Sequence, residues 1–157
     1  MDVDVVFQGI SSGMGILAAY SGFQQLYEAK VLRKMPRIVC VQQDTCSPMV
    51  KADAQNYDEF PDHLVIREPD GIAKAILRGN PKKSYTYVRN VVRKTDGCFC
   101  SVSQDEIINA LAFLNTKNIP ACPTSACTLA AFRKLARQGW LDPSDRSLLL
   151  LTGGVLE

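Results

Sequence analysis

Two periodicities interleave along the chain. Short, continuously apolar runs lie in residues 4–9 ("DVVFQG"), 37–42 ("RIVCVQ"), 98–102 ("CFCSV") and 146–152 ("RSLLLLT"). Their length and enrichment in Val, Ile, Leu and Phe predict buried strands. Between them, apolar residues recur every three or four positions, which predicts helices. The first runs from Met14 to about Arg33, with Ile16, Leu17, Tyr20, Phe23, Leu26 and Tyr27 on one face, and Pro36 closes it. Residues 47–56 begin with Ser47 as N-cap and Pro48 at the first helical position. Residues 57–70, rich in Asp, Glu and Pro, read as loop, and 70–79 as a short helix closed by Gly79. A weaker helical pattern in 84–95 puts Tyr87, Val88, Val91 and Val92 on one side. Ser103 and Glu106 form a capping box for a helix over 104–116, with Ile107, Ile108, Leu111 and Leu114 inward. The last helix, 123–139, is capped by Thr124 or Ser125, turns Leu129, Phe132 and Leu135 inward, and stops at Gly139.

Strands alternating with helices over short links predict an α/β domain: three layers, a mostly parallel sheet with helices on both faces, Rossmann-like. Ligands of such folds bind outside the carboxyl ends of the strands. The loop Gly9–Gly15 follows the first strand and Thr152-Gly153-Gly154 follows the last, so both open on the same edge of the sheet. Gly9, Ser11, Ser12, Gly13 and Gly15 stand where a strand hands over to a helix. Two readings fit that local pattern: a tight turn needing positive φ, or an anion site built on free N–H groups at a helix start.

Composition narrows the ligand class. The 157 residues are 46% hydrophobic and 22% charged, the profile of one soluble domain. A net charge of +2 with no Lys/Arg block speaks against nucleic acid or a membrane surface as partner. No apolar run reaches the roughly 20 residues of a membrane span, and the acidic N-terminus lacks the basic region of a secretory signal. Six cysteines without a CxxC pair, beside the single histidine His63, predict free core thiols in a reducing, cytoplasmic setting and no metal site. His63 reads as a solvated loop residue without a partner. Both common nucleotide motifs fail. The glycines at 9, 13 and 15 do not form GxGxxG, the second strand ends in Gln42-Gln43, and no Lys-Ser completes a P-loop.

The segment "SSGMGILAAYSGF" (11–23) is similar to the phosphate loop of the fold-type II, tryptophan synthase β-like pyridoxal-phosphate enzymes. With "CSPMVKA" (46–52), "IAKAILRGNP" (72–81), "VSQDEIINA" (102–110), "PTSACTLAAFRKL" (123–135) and "LLTGG" (150–154), the chain resembles the threonine synthase branch of that family. The resemblance implies pyridoxal 5′-phosphate as cofactor, its phosphate held by Ser11, Ser12, Gly13, Met14 and Gly15, its pyridine nitrogen hydrogen-bonded by Thr152, and Gly71-Ile72 beside its ring. Met14 departs from the small or amide residue usual in that loop, so its backbone amide is what it would contribute. The lysine that carries the cofactor, an asparagine beside it and the substrate-carboxylate loop have no counterpart here. Residues 1–155 are therefore expected to be the C-terminal cofactor-binding domain of a longer enzyme, inactive alone, with Leu156-Glu157 a cloning scar. The full protein would pair this domain with its N-terminal half, act on a small amino acid such as O-phosphohomoserine, releasing phosphate to give threonine, and form a homodimer. The competing reading is a non-catalytic module that keeps the fold for sensing a phosphate ligand or for assembly.

Overall fold

A computed structural model describes residues 3–153. The expected boundary at 155, Gly154 and the pair 156–157 lie outside the described residues. Four parallel strands form one sheet in the order β3-β2-β1-β4: β1 (Val5–Gly9), β2 (Arg37–Gln43), β3 (Cys98–Val102) and β4 (Ser147–Leu149). Registers pair Phe7 with Val39 and Leu149, and Val41 with Cys100. Helices α1 (Met14–Glu28), α2 (Pro48–Ala54) and α3 (Tyr85–Lys94) connect β1 to β2 and β2 to β3. Helices α4 (Gln104–Thr116) and α5 (Pro123–Arg137) return the chain to β4 on the other side of β1.

Strand alternation divides the core in two. Val5, Phe7, Val39, Val41, Cys100 and Val102 face α4 and α5, where Ile107, Ala110, Leu129 and Ala130 meet them. Ile38, Cys40 and Phe99 face the other layer, packing on Ile16, Met49, Tyr85, Val88 and Val92. The three-layer expectation therefore holds. At the amino end of the sheet, Asp4 ties three strands together: its carboxylate accepts from Lys34 Nζ at 2.8 Å and from Arg146 N at 2.9 Å.

Several local expectations are corrected. Helix α1 ends at Glu28 because Lys30 takes the left-handed conformation, φ 58°, and the chain turns so that Leu32 drops into the core. Ile16 is its one buried residue; Leu26 and Tyr27 are 42% and 47% exposed, since the short β4 leaves little sheet beneath the second half of α1. β4 is shorter than the expected 146–152 and only half-buried, as an edge strand. The expected helix over 70–79 reduces to a 3₁₀ turn, Lys74–Ile76. In α3 Val88, Val91 and Val92 face inward as expected, but Tyr85 joins them in place of Tyr87, which is 65% exposed, and in α4 Ile108 points out while Ala110 takes the inner position. The capping box forms as expected: Ser103 Oγ accepts from Glu106 N at 3.2 Å and Glu106 Oε2 from Ser103 N at 2.9 Å. Ser47 is the N-cap residue of α2 with Pro48 at its start, as expected, but its side chain makes no capping bond; Gln42 Oε1 supplies one from the end of β2, accepting from Met49 N at 3.0 Å. The six cysteines are unpaired, but Cys98 and Cys122 are partly exposed rather than core. His63 stacks edge-on against Tyr57, with 5.6 Å between ring centres.

Candidate cofactor site

β1 is followed by a neighbour on one side and β4 arrives on the other, so the chain direction switches between these two strands. Helices on opposite faces diverge at such a point and leave a crevice outside the carboxyl ends. There lies a cavity of about 190 Å³, walled by Gln8 to Ile16, Ala75, Ile76, Thr124 and Thr152. The two loops singled out from the sequence, Ser11–Gly15 and Thr152, thus line one cavity. Gly71 does not line it. Its segment is fastened to the end of β2, where Thr45 Oγ1 donates to Asp70 O at 2.5 Å and Ala73 N to Gln43 Oε1 at 2.9 Å. Ala75 and Ile76, a few residues on, supply the apolar wall instead.

The donors come from α1. Gly13 is its N-cap at φ 83°, and its carbonyl accepts from Leu17 N at 3.1 Å, which starts the helix. No side chain caps this end, so the first-turn N–H groups face the cavity with the positive end of the helix dipole behind them. Gly13 is required twice over: a left-handed backbone disfavours any Cβ, and one built there would sit 2.2 Å from Val88 Cγ2. The Ser11 and Ser12 hydroxyls flank the same opening. Amide and hydroxyl donors at a dipole's positive end, with no acidic residue in the lining, suit a phosphate dianion.

The second loop is held by a residue whose role the sequence did not disclose. Ser125, expected as a possible cap of α5, turns away from its own helix amides. Its Oγ donates to Gly153 O at 2.6 Å and accepts from Gly153 N at 2.8 Å, while Cys122 N donates to the same carbonyl at 3.2 Å. This clamp sets Thr152 at the rim of the cavity. The N-cap of α5 is Cys122. Burial works against ionising its thiol, but hydrogen bonds from Ser125 and the Thr124 amide outweigh it and hold the thiol below its ordinary range.

A family model described as pyridoxal-phosphate dependent enzyme matches residues 1–153. The chain belongs to this family. Its cofactor is pyridoxal 5′-phosphate, and the sheet and helices are those of fold type II. Among curated relatives of this family member, threonine synthase of Methanocaldococcus jannaschii is 26% identical over 151 residues, 96% of this chain and 36% of the relative. Cysteate synthase of Methanoregula boonei is 28% identical, covering 98% and 38%, and threonine synthase of a Bacillus species, strain ULM1, is 30% identical, covering 98% and 40%. The chain thus spans about two fifths of the length of these relatives. Among solved structures, the processed form of threonine deaminase isoform 2 from Solanum lycopersicum superposes with a TM-score of 0.78 at 12% identity, covering 99% of this chain and 41% of that one. A fungal L-serine ammonia-lyase from Rhizomucor miehei does so at 0.74 and 14%, covering 98% and 46%. The cradle fits the family's cofactor on its own chemistry: it offers amide donors without a side-chain cap, two hydroxyls for the ester oxygens, and a third hydroxyl at the rim. No helix among the described residues is long and apolar enough to cross a membrane.

Proposed function

We propose that this chain is the C-terminal cofactor-binding part of a threonine synthase-like lyase, which in the full protein converts O-phosphohomoserine to threonine and phosphate. The observation that carries the reading is the single cavity shared by the Ser11–Gly15 amides and Thr152 at the switch between β1 and β4. The names of the curated relatives support the reaction class. When bound, pyridoxal 5′-phosphate supplies a ring that withdraws electron density from the amino-acid substrate. The first-turn amides of α1 and the hydroxyls of Ser11 and Ser12 hold the phosphate. Thr152, carried by the Ser125 clamp, meets the ring nitrogen with a neutral hydroxyl, which leaves that nitrogen unprotonated and favours elimination and replacement over transamination. Ala75 and Ile76 exclude water from one side, a place the resemblance gave to Gly71-Ile72. No lysine of the described residues lines the cavity, in keeping with a cofactor-carrying lysine supplied from elsewhere in the protein. On this reading the chain alone is inactive, and the full enzyme is a cytoplasmic homodimer.

The test is an amide NMR titration of the chain with pyridoxal 5′-phosphate, run in parallel with pyridoxine 5′-phosphate, which has no aldehyde to react with surface lysines. The Ser11–Gly15 and Thr152 amides should move together and saturate with one Kd, on the order of millimolar without the covalent link. Shifts confined to the neighbours of scattered lysines, absent with pyridoxine 5′-phosphate, would overturn the reading.

A further inference from the structure

Among the described residues six serines and threonines are buried, and five of them use their hydroxyls inside the fold. Ser47 Oγ donates to Asp44 O at 3.0 Å, Ser84 Oγ to Pro81 O at 3.3 Å, Thr95 Oγ1 to Val91 O at 2.9 Å and Thr128 Oγ1 to Ser125 O at 2.8 Å. Ser125 Oγ holds Gly153. Thr124 is the exception: it is 7% exposed, it caps nothing, and its hydroxyl makes no hydrogen bond within the described residues. The side-chain atoms that are both sealed from solvent and unpartnered are those of Gln8, Gln42, Gln43 and Ser147. The Thr124 oxygen is not sealed; it opens on the cavity that the residue lines, the crevice at the start of α1. The other donors at the start of α5 are spent. Pro123 has no N–H, the Thr124 and Ser125 amides go to the Cys122 sulfur, and Ala126 N donates to Cys122 O at 3.0 Å. The first turn of α5 therefore reaches the cavity without a free amide, unlike that of α1. It comes that close because β1 ends in glycine: a Cβ on Gly9 would lie 3.2 Å from Thr124 O. A hydroxyl without a partner on a residue nine-tenths buried costs stability, and valine would fill the same space without that cost. Thr124 thus lacks a structural account.

We propose that Thr124 is a ligand-binding residue of this cavity: its Oγ1–H donates to an oxygen of the phosphate group held by the α1 amides. A phosphate oxygen supplies the acceptor that the protein does not. The anion is then gripped from both helix layers, by the amides of α1 on one side and by the hydroxyl on α5 on the other. The donor is neutral and its β-branched side chain is stiff at χ1, so it adds direction without adding charge. This rests on the reading that the Ser11–Gly15 cradle takes a phosphate, and the test below separates the two.

The experiment titrates the ¹⁵N-labelled chain, carrying ¹³C-labelled threonine methyls, with inorganic phosphate. The Gly13 and Gly15 amides and the Thr124 methyl, assigned by its loss in Thr124→Val, should saturate with the same Kd. Thr124→Val, close in shape but without the hydroxyl, should weaken phosphate about 10-fold, one hydrogen bond to a charged group. Thr124→Ser keeps the hydroxyl and should stay within about threefold of the parent chain. The urea midpoint of Thr124→Val should be equal to or above that of the parent, because the hydroxyl bonds nothing in the fold. A midpoint that falls while phosphate affinity holds would return the hydroxyl to a structural role and overturn the proposal. Loop amides that saturate in Thr124→Val with a Kd within about twofold of the parent would overturn this role and leave the phosphate cradle standing. No saturable shift at Ser11–Gly15 would overturn both.

Discussion

Replacing Gly13 by alanine tests the geometry on which the site depends. Two costs add. The backbone at φ 83° is left-handed, where an alanine Cβ is unfavourable by roughly 1–2 kcal/mol. The new Cβ also meets Val88 Cγ2 at 2.2 Å, far inside contact distance, and Val88 is fully buried between α3 and the sheet. Overpacking of this kind costs about 1–3 kcal/mol. Together the expected loss is about 2–5 kcal/mol, a large part of the total stability of a domain this size. With an m-value of about 2 kcal/mol/M the urea midpoint should fall by about 1–2.5 M. The Val88→Ala background separates the two terms: there Gly13→Ala should cost only the backbone part, and the difference is the coupling energy of the contact. A Gly13→Ala penalty below about 1 kcal/mol in the parent chain would refute both the left-handed cap and its approach to α3. An equal penalty in both backgrounds would refute the contact alone.

Two further outcomes follow from the charges and thiols. Hydrogen bonds from Lys34 and Arg146 hold the Asp4 carboxyl well below the usual carboxylate range, so its contribution is fully present above about pH 4 and is lost as the pH falls from there. Asp4→Asn should therefore lower stability by about 1–3 kcal/mol at pH 7, with the gap to the parent chain narrowing steadily in urea titrations below pH 4; a gap that ignores pH would remove the ionic role. Cys122 should be alkylated first when iodoacetamide is added near pH 8 and the adducts are mapped by mass spectrometry. Its thiol is shifted down, whereas burial pushes Cys98 and Cys127 up to about 12 and Cys100 to about 11. Equal labelling of Cys98 would contradict that ordering.

What could be read from the chain was whatever its neighbours in sequence complete. The Ser103–Glu106 box closes within one turn, and it formed as written. The strand at 37–42 is apolar on both faces and had to be buried, so the parallel sheet and its helix layers followed from pattern. The loop at Gly9–Gly15 announced itself because small residues crowd a strand-to-helix junction, and the likeness of that loop to a known phosphate cradle named the cofactor family. Where the outcome depended on distant partners, pattern failed. Ser125 looks like any cap until Gly153, 28 residues away, arrives to be clamped. Thr124 looks like a second such cap until the start of α1 meets it at one cavity. Tyr27 and Leu26 count as a core face by period, but burial needs a surface to bury against, and a three-residue edge strand does not provide one. Sequence alone determined the order of the strands, the fold class and the loops that line the cavity, because hydrophobic period and local hydrogen bonding are written in neighbouring residues. The tertiary structure decided which groups share the cavity, because the switch between β1 and β4 joins residues at opposite ends of the chain.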